Sequence, residues 1–274
     1  LLAAGLKVLG ECSMGAEAIA EKGIMDQHYA GIATNANEGD ASTFKPDEET
    51  KAAFQEKFGQ NFDDVVAAGQ MLNAKACAEQ LGTPADPDSG AEADPISGKD
   101  LNNLWLASPA IVKVASNAYV GKVRGAAAEE AEDSDEEEAG GGEEPLYCVN
   151  GFYPFMKGKF EKEDASVRLF VVAFDPQQCS WAKFRGEIIG KTNPADAAPG
   201  SIRAKILAQG EALGLPDCPD TAANGVHASA GPLEGLKERA VWCGVRVAAH
   251  PIFSPPPRGG RTLPATAPLL RFEA

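Results

Sequence analysis

At 274 residues the chain can bury a sizeable core and hold one large or two small domains. The formal charge is −15, but Glu129–Glu144 holds ten acidic residues and no basic one, which leaves −5 for the remainder. The acidity is therefore local and gives no support to nucleic-acid or membrane binding. Six cysteines, at 12, 77, 148, 179, 218 and 243, show no C-x-x-C or other ligand spacing. They read as buried thiols in a reducing intracellular compartment, the cytoplasm foremost, and no apolar run reaches the length of a membrane span.

In chain order, Gly5 stops a helical turn and Leu6–Gly10 reads as a short strand. Ser13 precedes a long helical pattern in which Ile19, Ile24, Tyr29 and Ile32 recur at core spacing. Two further helices are predicted over Asp47–Phe58, with Phe54 and Phe58 at i, i+4, and over Phe62–Leu81, capped by Asn61. A Pro-, Asp- and Gly-rich loop covers Gly82–Gly98. Leu101–Leu106 reads as a short helix and Ile111–Val123 as one strand of a hairpin whose second strand is Leu146–Asn150.

Between those strands, the acidic, Gly-rich run from Ala126 to Glu144 cannot bury enough apolar surface to offset its ordering entropy, so a disordered loop is expected. A tether for Ca2+ or a basic partner is the alternative reading of that run. Val167–Phe174 is the clearest buried strand. A short helix is predicted over Trp181–Ile189, then a turn-rich loop, then a helix opening near Ile202. Asn224–Trp242 places His227 before an amphipathic helix carrying Leu233, Leu236, Ala240 and Val241 on its apolar side. Unpaired N–H groups at a helix start attract phosphate and favour the neutral, nucleophilic imidazole. Ser229 is a candidate cap, and Glu238, three turns beyond, is spaced to reach back to the ring. A surface or cap histidine is the plainer alternative. Beyond Gly244 the sequence has six prolines and no periodicity, and a disordered tail over 245–274 is expected.

Three ordered segments carry a resemblance. They are Gly190-Lys191-Thr192-Asn193-Pro194, Pro199-Gly200-Ser201-Ile202-Arg203, and Asn224-Gly225-Val226-His227-Ala228-Ser229 followed by Glu238 and Trp242. Together they resemble the nucleoside diphosphate kinase family, in the form of its longer, insert-bearing eukaryotic and algal members. The resemblance implies a ferredoxin-like α+β fold, an antiparallel sheet with helices, in a discontinuous domain of residues 1–33 and 146–244. Residues 34–125 would then be an insert of helices and a hairpin, and 126–145 the acidic loop.

The resemblance also implies a ping-pong transfer of the terminal phosphate of ATP, as its Mg2+ complex, to a nucleoside diphosphate through His227, oriented by Glu238. Thr192, Arg203 and Asn224 would meet phosphates or ribose, Ser229 would support the histidine, and Tyr29 of His28-Tyr29 would approach the phosphates. Phe152 of Phe152-Tyr153 would stack on the base, which any base tolerates. Read without the resemblance, Tyr29 and Phe152 are equally packed core aromatics.

The sequence departs from the family at several points. Arg185 stands one residue from the expected arginine position, a turn of about 100° on a helix. The family's first strand, central in its sheet and carrying a phosphate-binding Lys, has no counterpart before Leu1, as if the chain opened in mid-domain. No G-x-x-x-x-G-K-[ST] occurs, which excludes a P-loop enzyme. The oligomeric state does not carry over from the resemblance, which leaves a homo-oligomer or larger assembly open, and the alternative function is a catalytically impaired nucleotide-binding or scaffold subunit.

Overall fold

The computed structural model describes residues 5–85, 91–124, 144–215, 218–221, 223–244 and 269–273. The architecture is α+β and divides into two units, Leu1–Ile24 with Phe160–Ala274, and Met25–Lys159. These boundaries differ from the expected 1–33 and 146–244. The reason lies in the second unit, where Tyr29, Leu146, Cys148 and Tyr153 share one core with Cys77, Leu101 and Trp105. Among the described residues no helix is long and apolar enough to cross a membrane.

The second unit is built on the four-stranded sheet β2-β5-β4-β3, formed by β2 (Met71–Asn73), β3 (Ile111–Ala115), β4 (Ala118–Arg124) and β5 (Leu146–Val149). β5 runs parallel to β2 and antiparallel to β4. All four residues of β5 are buried because both faces are covered, as the pleat of a central strand requires. Tyr147 and Val149 enter one core with Phe54 and Phe62, from α4 (Glu48–Phe58) and α5 (Phe62–Ala67). Leu146 and Cys148 enter the other core with residues of α3 (Ala30–Asn37), α6 (Ala74–Leu81), α7 (Gly98–Leu106) and α8 (Tyr153–Glu161).

Asn61 caps α5, as the sequence indicates, and Asp47 caps α4 through Thr50 N, one residue ahead of the helix it was read to open. The predicted helix over Phe62–Leu81 is instead two helices separated by β2. Gly69 takes φ of 70°, ending α5, and Asn73 caps α6. Likewise Ile111–Val123 is a hairpin, turning at Asn117 with φ of 57°. The long helix after Ser13 is three pieces, α1 (Ala16–Glu21), α2 (Ile24–His28) and α3, broken at Gly23 and Tyr29. The acidic run at 125–143 lies outside the described residues.

The first unit carries an antiparallel sheet of order β1-β6-β8-β7, from β1 (Lys7–Gly15), β6 (Ser166–Ala173), β7 (Val226–Ala228) and β8 (Leu269–Glu273). One face packs Val172, Val226 and Ala228 with Leu6, Phe174, Phe184 and Ile189. The unit also carries α1 together with helices α9 (Trp181–Lys183), which continues as a π-helical turn to Ile189, α10 (Ile202–Ala208) and α11 (Pro232–Cys243). The expectation of a disordered tail is corrected at Leu269–Glu273: this stretch is a strand, hydrogen-bonded to β6 on one side and β7 on the other. Residues 245–268 lie outside the described set.

A partly exposed ionic contact ties the second unit's ends together. Asp26 Oδ2 meets Lys157 Nζ at 2.6 Å, and Tyr153 Oη donates to Asp26 Oδ1 at 2.6 Å. Burial pushes the Asp26 carboxyl up, but the Lys157 and Tyr153 hydrogen bonds and the Lys157 charge outweigh it, holding the carboxyl below its ordinary value. A depressed folded-state value stabilises above the unfolded-state value of about 3.9 and loses that stabilisation as pH falls through the folded one. With the Asp26 side chain 38% exposed, Asp26→Asn is expected to cost about 1 kcal/mol at neutral pH after solvent screening. Urea titrations of both proteins check this: their midpoints should differ at pH 7 and converge as pH falls through the depressed folded-state value of Asp26.

Candidate active site

His227 is the middle residue of β7. Val226 and Ala228 point into the core, so the pleat sends the imidazole to the other face, where its side chain is 25% exposed. This corrects the helix-mouth expectation, because α11 begins five residues later at Pro232, with Gly231 as its cap residue. The histidine is therefore placed by a sheet and faces a helix flank. Ser229 does not cap the helix either.

Glu238, one and a half turns into α11, is 2% exposed and meets His227 Nε2 at 2.6 Å through Oε1. Its Oε2 accepts the Ser229 hydroxyl at 2.5 Å. A buried carboxylate is tolerable only when its oxygens are satisfied, and here each receives a donor from the β7 segment. As a carboxylate, Glu238 can only accept, so the contact calls for a proton on Nε2, and in the neutral ring that leaves the lone pair on Nδ1. Trp181 Nε1 donates to the Ser229 carbonyl at 3.1 Å, fixing the same turn from α9. Trp181 is a supporting residue the sequence reading missed; its place opening a helix after Ser180 was the available signal.

The two Gly-rich segments converge on β7. The Arg203 guanidinium, buried at 7% exposure, donates to Gly190 O and Val226 O, each at 2.8 Å. Gly190 has φ of 101°, and a Cβ there would stand 2.6 Å from Ser201 Oγ, so the loop's glycine is required by both backbone and space. Asn224 Nδ2 donates to Thr192 O at 3.2 Å, and its Oδ1 accepts Val226 N at 3.4 Å. Arg203, Asn224 and the Thr192 loop are thus brought together around the residue before His227. In this conformation Arg203 holds the strand from behind, where the resemblance gave it to phosphate. Ser201 caps α10 through Ala204 N, consistent with the helix start read from the sequence. Arg185, on the π-helical turn, is exposed.

Tyr29 and Phe152 belong to the second unit. Both are half-buried against its core, the Tyr29 ring edge-on to His28 at 4.4 Å and Phe152 5.2 Å from the Trp105 ring. Their packed reading accounts for these contacts. A cleft in the same unit, lined by Gln55, Gln60, Asn61 and Gln70 among others, contains none of the expected site residues.

Replacing the planar guanidinium with an ammonium removes the fork that spans two carbonyls. Arg203→Lys is expected to destabilise by about 1.5–3 kcal/mol and to lower Tm by about 3–10 °C in a thermal scan, with faster amide exchange in β7. An unchanged Tm would show that the clamp carries no weight. No family model matches the chain, and neither a curated protein nor a solved structure matches it.

Proposed function

We propose that the chain moves the terminal phosphate of a nucleoside triphosphate to a nucleoside diphosphate by way of a phosphohistidine at His227. The carrying observation is the His227 Nε2–Glu238 contact of 2.6 Å, with Ser229 on the second carboxylate oxygen. That arrangement supports a nucleophilic Nδ1: the lone pair would attack the terminal phosphorus, the nucleoside diphosphate would leave, and a second diphosphate would collect the phosphoryl group. Positive charge growing on the ring during attack would be balanced by the buried Glu238.

The donor set bears on the metal. Glu238, the carboxylate at the histidine, is engaged by His227 and Ser229, and Glu234 accepts from Ala230 N. Mg2+ is therefore read as part of the MgATP substrate, held by phosphate oxygens and water, its preferred ligands.

The sheet order also supports a ferredoxin-like reading of the first unit. β8 takes a middle place between β6 and β7, antiparallel to both, where the resemblance puts the family's first strand. Arg271 stands at the β8 position paired with His227, on the strand for which the resemblance expects a phosphate-binding Lys.

A second reading, a nucleotide-binding subunit without turnover, is favoured by the two backbone carbonyls that engage Arg203. Incubation with γ-labelled ATP and Mg2+ separates the two. Transfer predicts acid-labile label on the chain, absent in His227→Ala and discharged by added GDP or UDP. Losing a charge-assisted hydrogen bond of about 1.5–3 kcal/mol, Glu238→Gln should label about 10–100-fold more slowly. Retained ATP binding with no acid-labile label would sink the transfer reading and leave the second.

A further inference from the structure

The six cysteines do not share one environment: Cys77, Cys148 and Cys179 are buried, while Cys12, Cys218 and Cys243 are exposed. Cys77 and Cys148 lie in the core of the second unit, each at 0% exposure. The Cys77 thiol donates to the carbonyls of Leu72 and Tyr147, and burial pushes the Cys148 thiol far up. A thiol that neither ionises nor meets solvent is inert toward exchange.

Cys12 and Cys243 form a different pair. Cys12 sits in mid β1, opposite Leu169 of β6, with Gly10 opposite Val171 two positions away. Opposed positions in an antiparallel pair share a face, and that face meets the C-terminal end of α11, whose last residue is Cys243. Gly10, Glu11, Cys12, Leu169, Val171 and Cys243 together line one cleft. Both cysteines therefore open on the same cleft. Partial burial of the Cys243 sulfur in the cleft raises its pKa first, the Cys12 sulfur raises it further, and Arg239 opposes them. Exposed residues on two separate elements, lining one cleft, differ from the buried pair in access, which exchange requires.

We propose that Cys12 and Cys243 are a redox-modification site, at which a small-molecule disulfide links the edge strand β1 to the end of α11. One protein thiolate attacks a sulfur of glutathione disulfide, expelling one glutathione thiolate and leaving a mixed disulfide. The second protein thiolate attacks the protein sulfur, forming the Cys12–Cys243 bond and releasing the second glutathione. The protein loses two electrons, glutathione disulfide gains them, and the two thiol protons leave with the two glutathione molecules. The bond would pin α11 five residues beyond Glu238. The inference does not rest on the phosphohistidine reading, and either can fail alone.

The test treats the folded chain with glutathione disulfide at mildly alkaline pH, alkylates the remaining thiols after denaturation, and maps tryptic peptides by mass spectrometry. The expected result is a cross-linked pair containing Cys12 and Cys243, with four of the six cysteines alkylated. Dithiothreitol should reverse it, and Cys12→Ser or Cys243→Ser should each abolish it while Cys218→Ser leaves it intact. Oxidised protein should melt about 5–10 °C higher, as a cross-link closing a long loop stabilises. Glutathione retained separately on Cys12 and Cys243, a cross-link through Cys218, or no reaction at either cysteine would overturn the proposal.

Discussion

The first unit depends on one buried carboxylate. Glu238 has 2% of its side chain exposed, a condition whose desolvation cost is several kcal/mol unless donors replace the lost water. Its two oxygens find those donors on His227 and Ser229, on either side of Ala228. β7 is three residues long and would contribute little order alone, but it is gripped from one side by this carboxylate. From the other, Arg203 grips the Val226 carbonyl. The helix and the Gly190 loop are therefore each tied to the strand by a buried polar cluster, and a partly satisfied cluster of this kind is less stable than an apolar core. The Glu238 contact holds the imidazole with Nε2 toward the carboxylate, an orientation that nucleophilic use of Nδ1 also requires.

Much of that arrangement was legible because it is local in sequence or in pattern. The eleven-residue spacing from His227 to Glu238 announced their contact, and Asn61 caps where the sequence places it. The role of Arg203 was less legible. Its place three residues past a Pro-Gly pair identifies it, but whether a guanidinium faces a ligand or two backbone carbonyls depends on the path of Gly190 and Val226. No spacing in the sequence encodes that path.

The failures have a common cause in tertiary pairing. Met71–Asn73 and Leu269–Glu273 are strands because partners are available, Tyr147–Val149 for the first and β6 with β7 for the second. Three and five residues are too short for a period to outweigh their surroundings, the first between two helical runs and the second behind a proline-rich stretch. The β8 backbone satisfies the facing edges of β6 and β7 together, removing two rows of unpaired N–H and C=O groups. The domain boundaries moved for a similar reason: Tyr29 and Tyr153 follow the Trp105 core in space, whichever motif lies beside them in sequence.

The central claim is that Glu238 holds His227 with the proton on Nε2, so that Nδ1 receives phosphate. Ring-15N NMR of the labelled chain, recorded before and after incubation with MgATP, tests it most directly. The account predicts the Nε2–H tautomer in the resting protein and phosphorus coupling at Nδ1 afterwards, both lost in His227→Ala. An Nδ1–H tautomer at rest, or phosphorus bound at Nε2, would contradict it.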